Sequence, residues 1–221
     1  MIDTVDPHKG ECNMDYETQR RLICELGRRM WERGWVASND GNLSRRLGEG
    51  LFLVTPAGVS KGFLTTDMPV VVDSEGRVVE SSGAYLPSSE TPLHLECYRR
   101  RRDVGGICHA HPPASTAFAC ARKALDASIL GEALMVLGPV PCAPYARTGT
   151  PALSAAAGPL LDDHDAVLLA NHGAVTLGPD LEQAYWRMET LEHTAQICLG
   201  VRLLGGGVPL TDEQCAQLRR S

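Results

Sequence analysis

Short apolar runs that stop at a proline, a glycine or a charged turn alternate along this chain with stretches of helical periodicity. That alternation restricts it to architectures in which helices pack on a sheet. "LFLVTP" at 51–56 reads as a strand, and "MPVVVDSEGRVVE" at 68–80 as two strands joined by a turn at Ser74, Glu75 and Gly76. "VGGICHAH" is a further strand, and "AVLLANHGAV" is an apolar strand reaching a turn. Between these lie helical patterns. One runs from Asp15 to near Gly34, with Leu22, Ile23, Leu26 and Met30 on one side, and the longest begins at Asp180. Others are "PPASTAFACARKAL", "PALSAAAGPLLDD" with an interruption at Gly158-Pro159, and a last short helix behind the capping box "TDEQ". "LPSSETPLHLECYRRRR" starts a helix that Ser88 or Ser89 can cap, with Pro92 in its first turn. "SNDGNLSRRLGEG" is rich in turn formers and reads as a loop or hairpin entry, and "MVLGPVPCAPYARTGT" as a short strand plus loop. Several neighbouring strands look like hairpins, which favours a mixed sheet flanked by helices over a purely parallel one.

No composition shift marks a linker, so residues 1–221 read as one domain with a loose polar lead over 1–14. The apolar fraction of 43% suffices for one sizeable core. A formal net charge of −6 excludes a general nucleic-acid binder, which needs a basic face. The one basic run, Arg99 to Arg102, fits the solvated end of a helix. No apolar stretch approaches the roughly 20 residues of a membrane span, and the first residues lack the apolar core of a signal peptide. Eight cysteines stand singly with no C-x-x-C pair, so neither a zinc ribbon nor a redox dithiol is indicated. Reduced thiols in a cytoplasmic protein are expected.

Two kinds of chemistry stand out. Strand alternation points His109 and His111 the same way, with Ala110 opposite. Alone, the pair reads equally as polar residues closing a strand. His172 in "NHG" follows an apolar strand at a turn, where open α/β sheets tend to place their sites; alone it reads as a surface turn residue. Glu90 opens a helix behind two serines, where the helix dipole by itself favours a carboxylate. Three histidines that can converge, plus one carboxylate, together predict a divalent site of zinc type. His94, His164 and His193 read as structural, and Cys108 as core. Oxyanion cradles are offered by "DGNLS" (Gly41, Asn42, Ser44), by "TPAGVSKG" (Thr55 to Gly62) and by Ser88 and Ser89 at a helix start. Neither a P-loop nor G-x-G-x-x-G occurs, so nucleotide binding is not indicated.

"GNLS", "TPAG", "LPSSE", "HAH", "PCAPYARTGT" and "NHG" stand in the order and spacing of a known family. Over residues 15 to 205 the chain resembles the class II aldolase/adducin family, and within it the fuculose-1-phosphate aldolase branch. The resemblance implies an α/β/α three-layer fold around a mainly antiparallel sheet. It implies a homotetramer with active sites at subunit boundaries. It also implies one divalent ion, zinc or else manganese or cobalt, on His109, His111 and His172, with Glu90 as a further ligand that swings off to carry a proton. Asn42, Ala57, Gly58, Ser88 and Ser89 fall on the phosphate cradle; Ala57 replaces a hydroxyl residue, so one phosphate hydrogen bond is lost or comes from its backbone N–H.

The implied reaction splits a ketose 1-phosphate into dihydroxyacetone phosphate and an aldehyde through a metal-stabilised enediolate. Three aromatics of close aldolases are missing. "DASILGEALMVLGPV" has no tyrosine, Thr148 replaces an aromatic, and the tail "QLRRS" lacks a tyrosine. The aldehyde end is therefore rebuilt, which suits a less hydroxylated substrate such as 5-deoxyribulose or 5-methylthioribulose 1-phosphate. Other reactions of the scaffold are methylthioribulose-1-phosphate dehydration, pentulose-5-phosphate 4-epimerisation and 3-oxo-tetronate 4-phosphate decarboxylation. A non-catalytic adducin-like module is disfavoured, because Glu90 and all three histidines remain.

Overall fold

Strands of this chain bury both faces, and the residues sort by parity. Phe52, Val54, Val70, Val72 and Ile107 turn to one side, while Leu53, Val71 and Cys108 turn to the other. The computed structural model describes residues 12–48 and 50–218. Its helices are α1 (Cys12–Glu32), α2 (Thr91–Arg100), α3 (Pro113–Cys120), α4 (Gly131–Leu137), α5 (Pro151–Leu161), α6 (Leu181–Leu203) and α7 (Asp212–Leu218). Its strands are β1 (Asn42–Gly48), β2 (Leu51–Val54), β3 (Val70–Asp73), β4 (Val78–Glu80), β5 (Gly106–Ala110), β6 (Cys142–Ala143), β7 (Ala166–Leu169) and β8 (Gly173–Gly178). They form one sheet in the order β4-β3-β2-β1-β5-β8-β7-β6, antiparallel throughout except for the β6–β7 pair. α1, α3, α4 and α6 cover one face. α2 and α5 cover the other. The three-layer, mainly antiparallel architecture is therefore as expected. Among the described residues, no helix is long and apolar enough to cross a membrane.

Several local readings are corrected. Part of the supposed loop at 38–50 is β1, a strand inside the sheet between β2 and β5. Its polar residues are tolerated there because each has a partner. Ser44 Oγ lies 2.6 Å from His94 Nδ1 and 2.9 Å from the Tyr98 hydroxyl. Arg46 lays its guanidinium over the Phe52 and Tyr98 rings. The strand and turn expected at 166–175 are β7 and a reversal at Asn171, whose φ of 56° is a left-handed conformation asparagine accepts, but the chain then returns as β8, a strand not expected there. α5 runs through Pro159 without a break. A proline this near the helix end frees a single carbonyl, and Gly158 admits the Arg100 side chain, whose Nε lies 2.8 Å from where a Cβ would stand. The helix read at 112–125 stops at Cys120, and α4 was not foreseen. Neither serine is the cap of α2: Glu90 is, and the Ser88 hydroxyl accepts the Glu90 N–H at 3.3 Å. Of the loose lead expected over 1–14, residues 1–11 lie outside the described residues, whereas α1 already begins at Cys12. The capping box is present: Thr211 Oγ1 accepts from Gln214 N–H, and Gln214 Oε1 accepts from Thr211 N–H.

One contact unseen in the sequence sets the base of the site. α3 starts after Pro112, which offers no side-chain cap. Its free N–H groups are satisfied by Glu192 of α6, which is 2% exposed. This carboxylate accepts from the backbone of Ala114 at 3.0 Å and Ser115 at 2.8 Å, and from the Ser115 hydroxyl at 2.8 Å. Glu192→Ala leaves three buried donors without an acceptor, and is expected to cost about 3 kcal/mol in urea denaturation. A loss under about 0.5 kcal/mol would show that water replaces the carboxylate.

Candidate metal and anion site

The start of β1, the end of β5, the β7–β8 turn and the start of α2 meet at one point. Asn42 pairs with His109 across the β1–β5 ladder, and Ala174 of β8 stands opposite Ala110. Gly173 makes the approach possible, since a Cβ there would lie 2.5 Å from the Ala110 carbonyl and 2.5 Å from His111 Cδ2. One ring nitrogen each from His109, His111 and His172 falls within 4.8 Å of the others, a grouping that could hold a metal ion.

Their hydrogen bonds fit that purpose. His109 is fully buried, and its Nδ1 faces the Ala174 carbonyl at 2.8 Å. A carbonyl only accepts, so Nδ1 carries the proton and Nε2 turns towards the centre. His111 Nε2 lies 3.2 Å from His109 Nε2, and its Nδ1 lies 3.3 Å from Asp40 Oδ2. Asp40 thus orients His111 as the carbonyl orients His109. Glu90 closes the group: Oε2 is 3.0 Å from His109 Nε2 and Oε1 is 3.3 Å from His172 Nε2. Asn42 Nδ2 donates to the same Oε2 at 2.8 Å. Nitrogen lone pairs this close repel unless a cation or proton lies between them, so the donor set fits a divalent ion.

The electrostatics agree. Burial pushes the Glu90 carboxyl up, but His109, His172 and the Asn42 amide outweigh it and hold the group well below the usual carboxylate range. Burial, with His109 beside it, lowers His172 to about 3. Burial and His109 also lower His111. For His109 itself, burial is overcome by Glu90, and the net direction is up. The cluster thus accommodates one positive charge against a fixed anion.

A cleft of about 310 Å³ opens on this group, lined by Glu90, His111 and His172 together with Asn42, Ala57, Gly58, Ser88 and Ser89. The five residues expected as a cradle therefore share one cavity with the histidine cluster. Ala57 N–H donates to the Leu86 carbonyl at 2.9 Å, so it is not free to replace the missing hydroxyl. Thr148 also lines the cleft. A larger hollow, about 420 Å³, lies behind Ser88 and Ser89 against Glu96 and Arg99, and no histidine borders it.

The three other described histidines lie outside this cluster. His94 is buried on Ser44, and burial lowers it to about 3. His164 Nδ1 donates to the Leu160 carbonyl, and His193 is exposed on α6. Cys108 packs on the face opposite His109, beside Met30. The sequence reading missed Asp40 and Lys61. The first was hidden in a turn-forming run, and the second lay unremarked inside "TPAGVSKG". A lone lysine in a glycine-containing anion-type loop was the available signal.

Residues 21–199 match the model of the Class II Aldolase and Adducin N-terminal domain. The chain belongs to this family. Among relatives in the class II aldolase/adducin family, it is 36% identical over 184 residues to the 3-oxo-tetronate 4-phosphate decarboxylase of Haemophilus influenzae, covering 81% of this chain and 86% of that one. It is 31% identical over 206 residues to the 5-deoxy-D-ribulose 1-phosphate aldolase of Bacillus thuringiensis, covering 92% and 95%. A solved L-fuculose 1-phosphate aldolase superposes with a TM-score of 0.84 at 32% identity, over 91% of this chain and 94% of that one.

Proposed function

We propose that the protein is a metal-dependent aldolase that reversibly cleaves a ketose 1-phosphate to dihydroxyacetone phosphate and an aldehyde. The observation that carries this reading is the sharing of one cleft by the histidine cluster, Glu90 and the cradle residues. His109, His111 and His172 hold the ion, zinc before manganese or cobalt given nitrogen donors, with Glu90 as fourth ligand and proton carrier. The ion, when bound, supplies Lewis-acid stabilisation of negative charge on the substrate oxygens. Asn42, Gly58, Ser88 and Ser89 orient the phosphate, aided by the start of α2. The C4 hydroxyl gives up its proton and becomes the aldehyde as the C3–C4 bond breaks, and the bond's electron pair stays on the dihydroxyacetone phosphate half. Glu90, starting as the carboxylate, takes up that proton and returns it to C3. The small Thr148 supports a substrate with a less hydroxylated tail, such as 5-deoxyribulose or 5-methylthioribulose 1-phosphate.

A panel of ketose 1-phosphates with zinc, coupled through dihydroxyacetone phosphate to a reductase, tests the reading; no release from any of them sinks it. The 36% identity to a decarboxylase favours one second reading, loss of carbon dioxide from a 3-oxo-tetronate 4-phosphate. It too leaves an electron pair beside a carbonyl, and product analysis by ¹³C NMR separates the two. The homotetramer and the cytoplasmic setting belong to the proposal. Trp31 and Phe63, exposed and edge to face at 5.4 Å, support an interface that sedimentation tests. Asp40→Asn is expected to weaken zinc binding roughly 10–100-fold by chelator competition, because a neutral amide in place of the carboxylate no longer strengthens His111 as a ligand. An unchanged affinity would remove Asp40 from this role.

A further inference from the structure

The cleft contains a cation with no assigned task. Lys61 is 2% exposed, yet it lines the same cavity as Ala57, Gly58, Ser88 and Ser89. Its Nζ donates to the carbonyl of Asn39 at 2.7 Å and to that of Val59 at 2.8 Å. An ammonium has three donors, and the third has no partner among the described residues.

Two observations make this more than a clamp between loops. The first is charge. The cleft is lined by the carboxylates of Asp40 and Glu90, and Lys61 is its one lysine or arginine. A phosphorylated sugar adds negative charge to those carboxylates. The second is the number of donors. Position 57 offers no hydroxyl, and the Ala57 N–H is held by Leu86, so the cradle is one donor short. A lysine already anchored by two carbonyls has little side-chain freedom left to lose on binding. Burial lowers its ammonium to about 8, against the opposing pull of Asp40 and Glu90, so it is charged at neutral pH.

Resting on the sugar-phosphate reading above, we propose that Lys61 is a binding residue for the substrate's phosphoryl group. Two of its N–H groups hold the 39–41 and 57–61 segments together, and the third supplies the charge and the donor missing at Ala57. The site then selects a phosphoryl group over a neutral hydroxyl terminus by charge as well as by shape.

Isothermal titration of inorganic phosphate into the zinc-loaded full chain tests this at pH 7. Lys61→Met, at equal zinc content, is expected to bind at least about tenfold more weakly. Binding within about twofold of the unmodified chain overturns the inference alone. Failure of the unmodified chain to bind phosphate at all overturns both the inference and the reading beneath it. A second measurement does not require the variant to fold. The chain has three lysines, Lys9, Lys61 and Lys123. In ¹³Cε-lysine NMR the Lys61 signal is recognised by its titration near pH 8. Saturating phosphate is expected to move that titration to higher pH, since an adjacent anion favours the ammonium. A Lys61 titration that phosphate leaves in place overturns the proposal.

Discussion

His109→Ala protein is expected to purify without a stoichiometric divalent ion and to lose the proposed cleavage of a ketose 1-phosphate by at least about 10³-fold. His109 is the best-fixed nitrogen of the cluster, fully buried and held in one tautomer by the Ala174 carbonyl. It also faces two of the other three members, His111 Nε2 at 3.2 Å and Glu90 Oε2 at 3.0 Å. Without it, two imidazoles and a carboxylate remain on the rim of the space that the buried ring filled, and His111 and Glu90 each lose the nitrogen they face across it. Elemental analysis by mass spectrometry and steady-state rates check this, with circular dichroism to confirm the fold. A folded variant that keeps one ion per chain and a tenth of the rate would remove His109 from the ligand set.

Glu90→Gln should separate binding from proton transfer. The amide keeps the size of the side chain and can still accept from Asn42, so the ion is expected to stay. What is lost is the base. Turnover is expected to fall about 10²- to 10⁴-fold, while KM changes little. The carboxyl lies well below the usual range in the unliganded site, held there by His109, His172 and Asn42 against its burial. Work near neutral pH therefore begins from the anion. A rate within about tenfold of the parent would assign the proton to another group.

Legibility in the sequence followed the range of the interaction concerned. Short apolar runs bounded by proline, glycine or turn residues found β2, β3 and β5, and helical periodicity found α1 and α6, because each pattern lies within a few turns or pleats of itself. β1 was missed because Ser44 and Arg46 look like loop residues until α2 brings His94 and Tyr98 across to them. The turn after β7 was legible in "NHG", but the returning strand β8 was not, since its run from Gly173 to Gly178 opens and closes on glycine. The candidate ligands were readable from residue type and position. Their supports, Asp40 for His111 and Glu192 for α3, were not. Both act through contacts between segments far apart in the chain, and no local pattern announces such a pair.

The strand order also decides when the ion can bind during folding. His109 lies on β5, between β1 and β8, and His111 just past its end, while His172 arrives on the turn into β8 and Glu90 at the start of α2. Few ligands are in place until β1, β5 and β8 have paired, and such non-local pairings form late and slowly. An ion that recognises only the completed arrangement leaves refolding rates nearly unchanged and slows unfolding. In the metal-loaded protein it would act as a latch on kinetic persistence, with the supply of the ion setting how long each folded molecule survives.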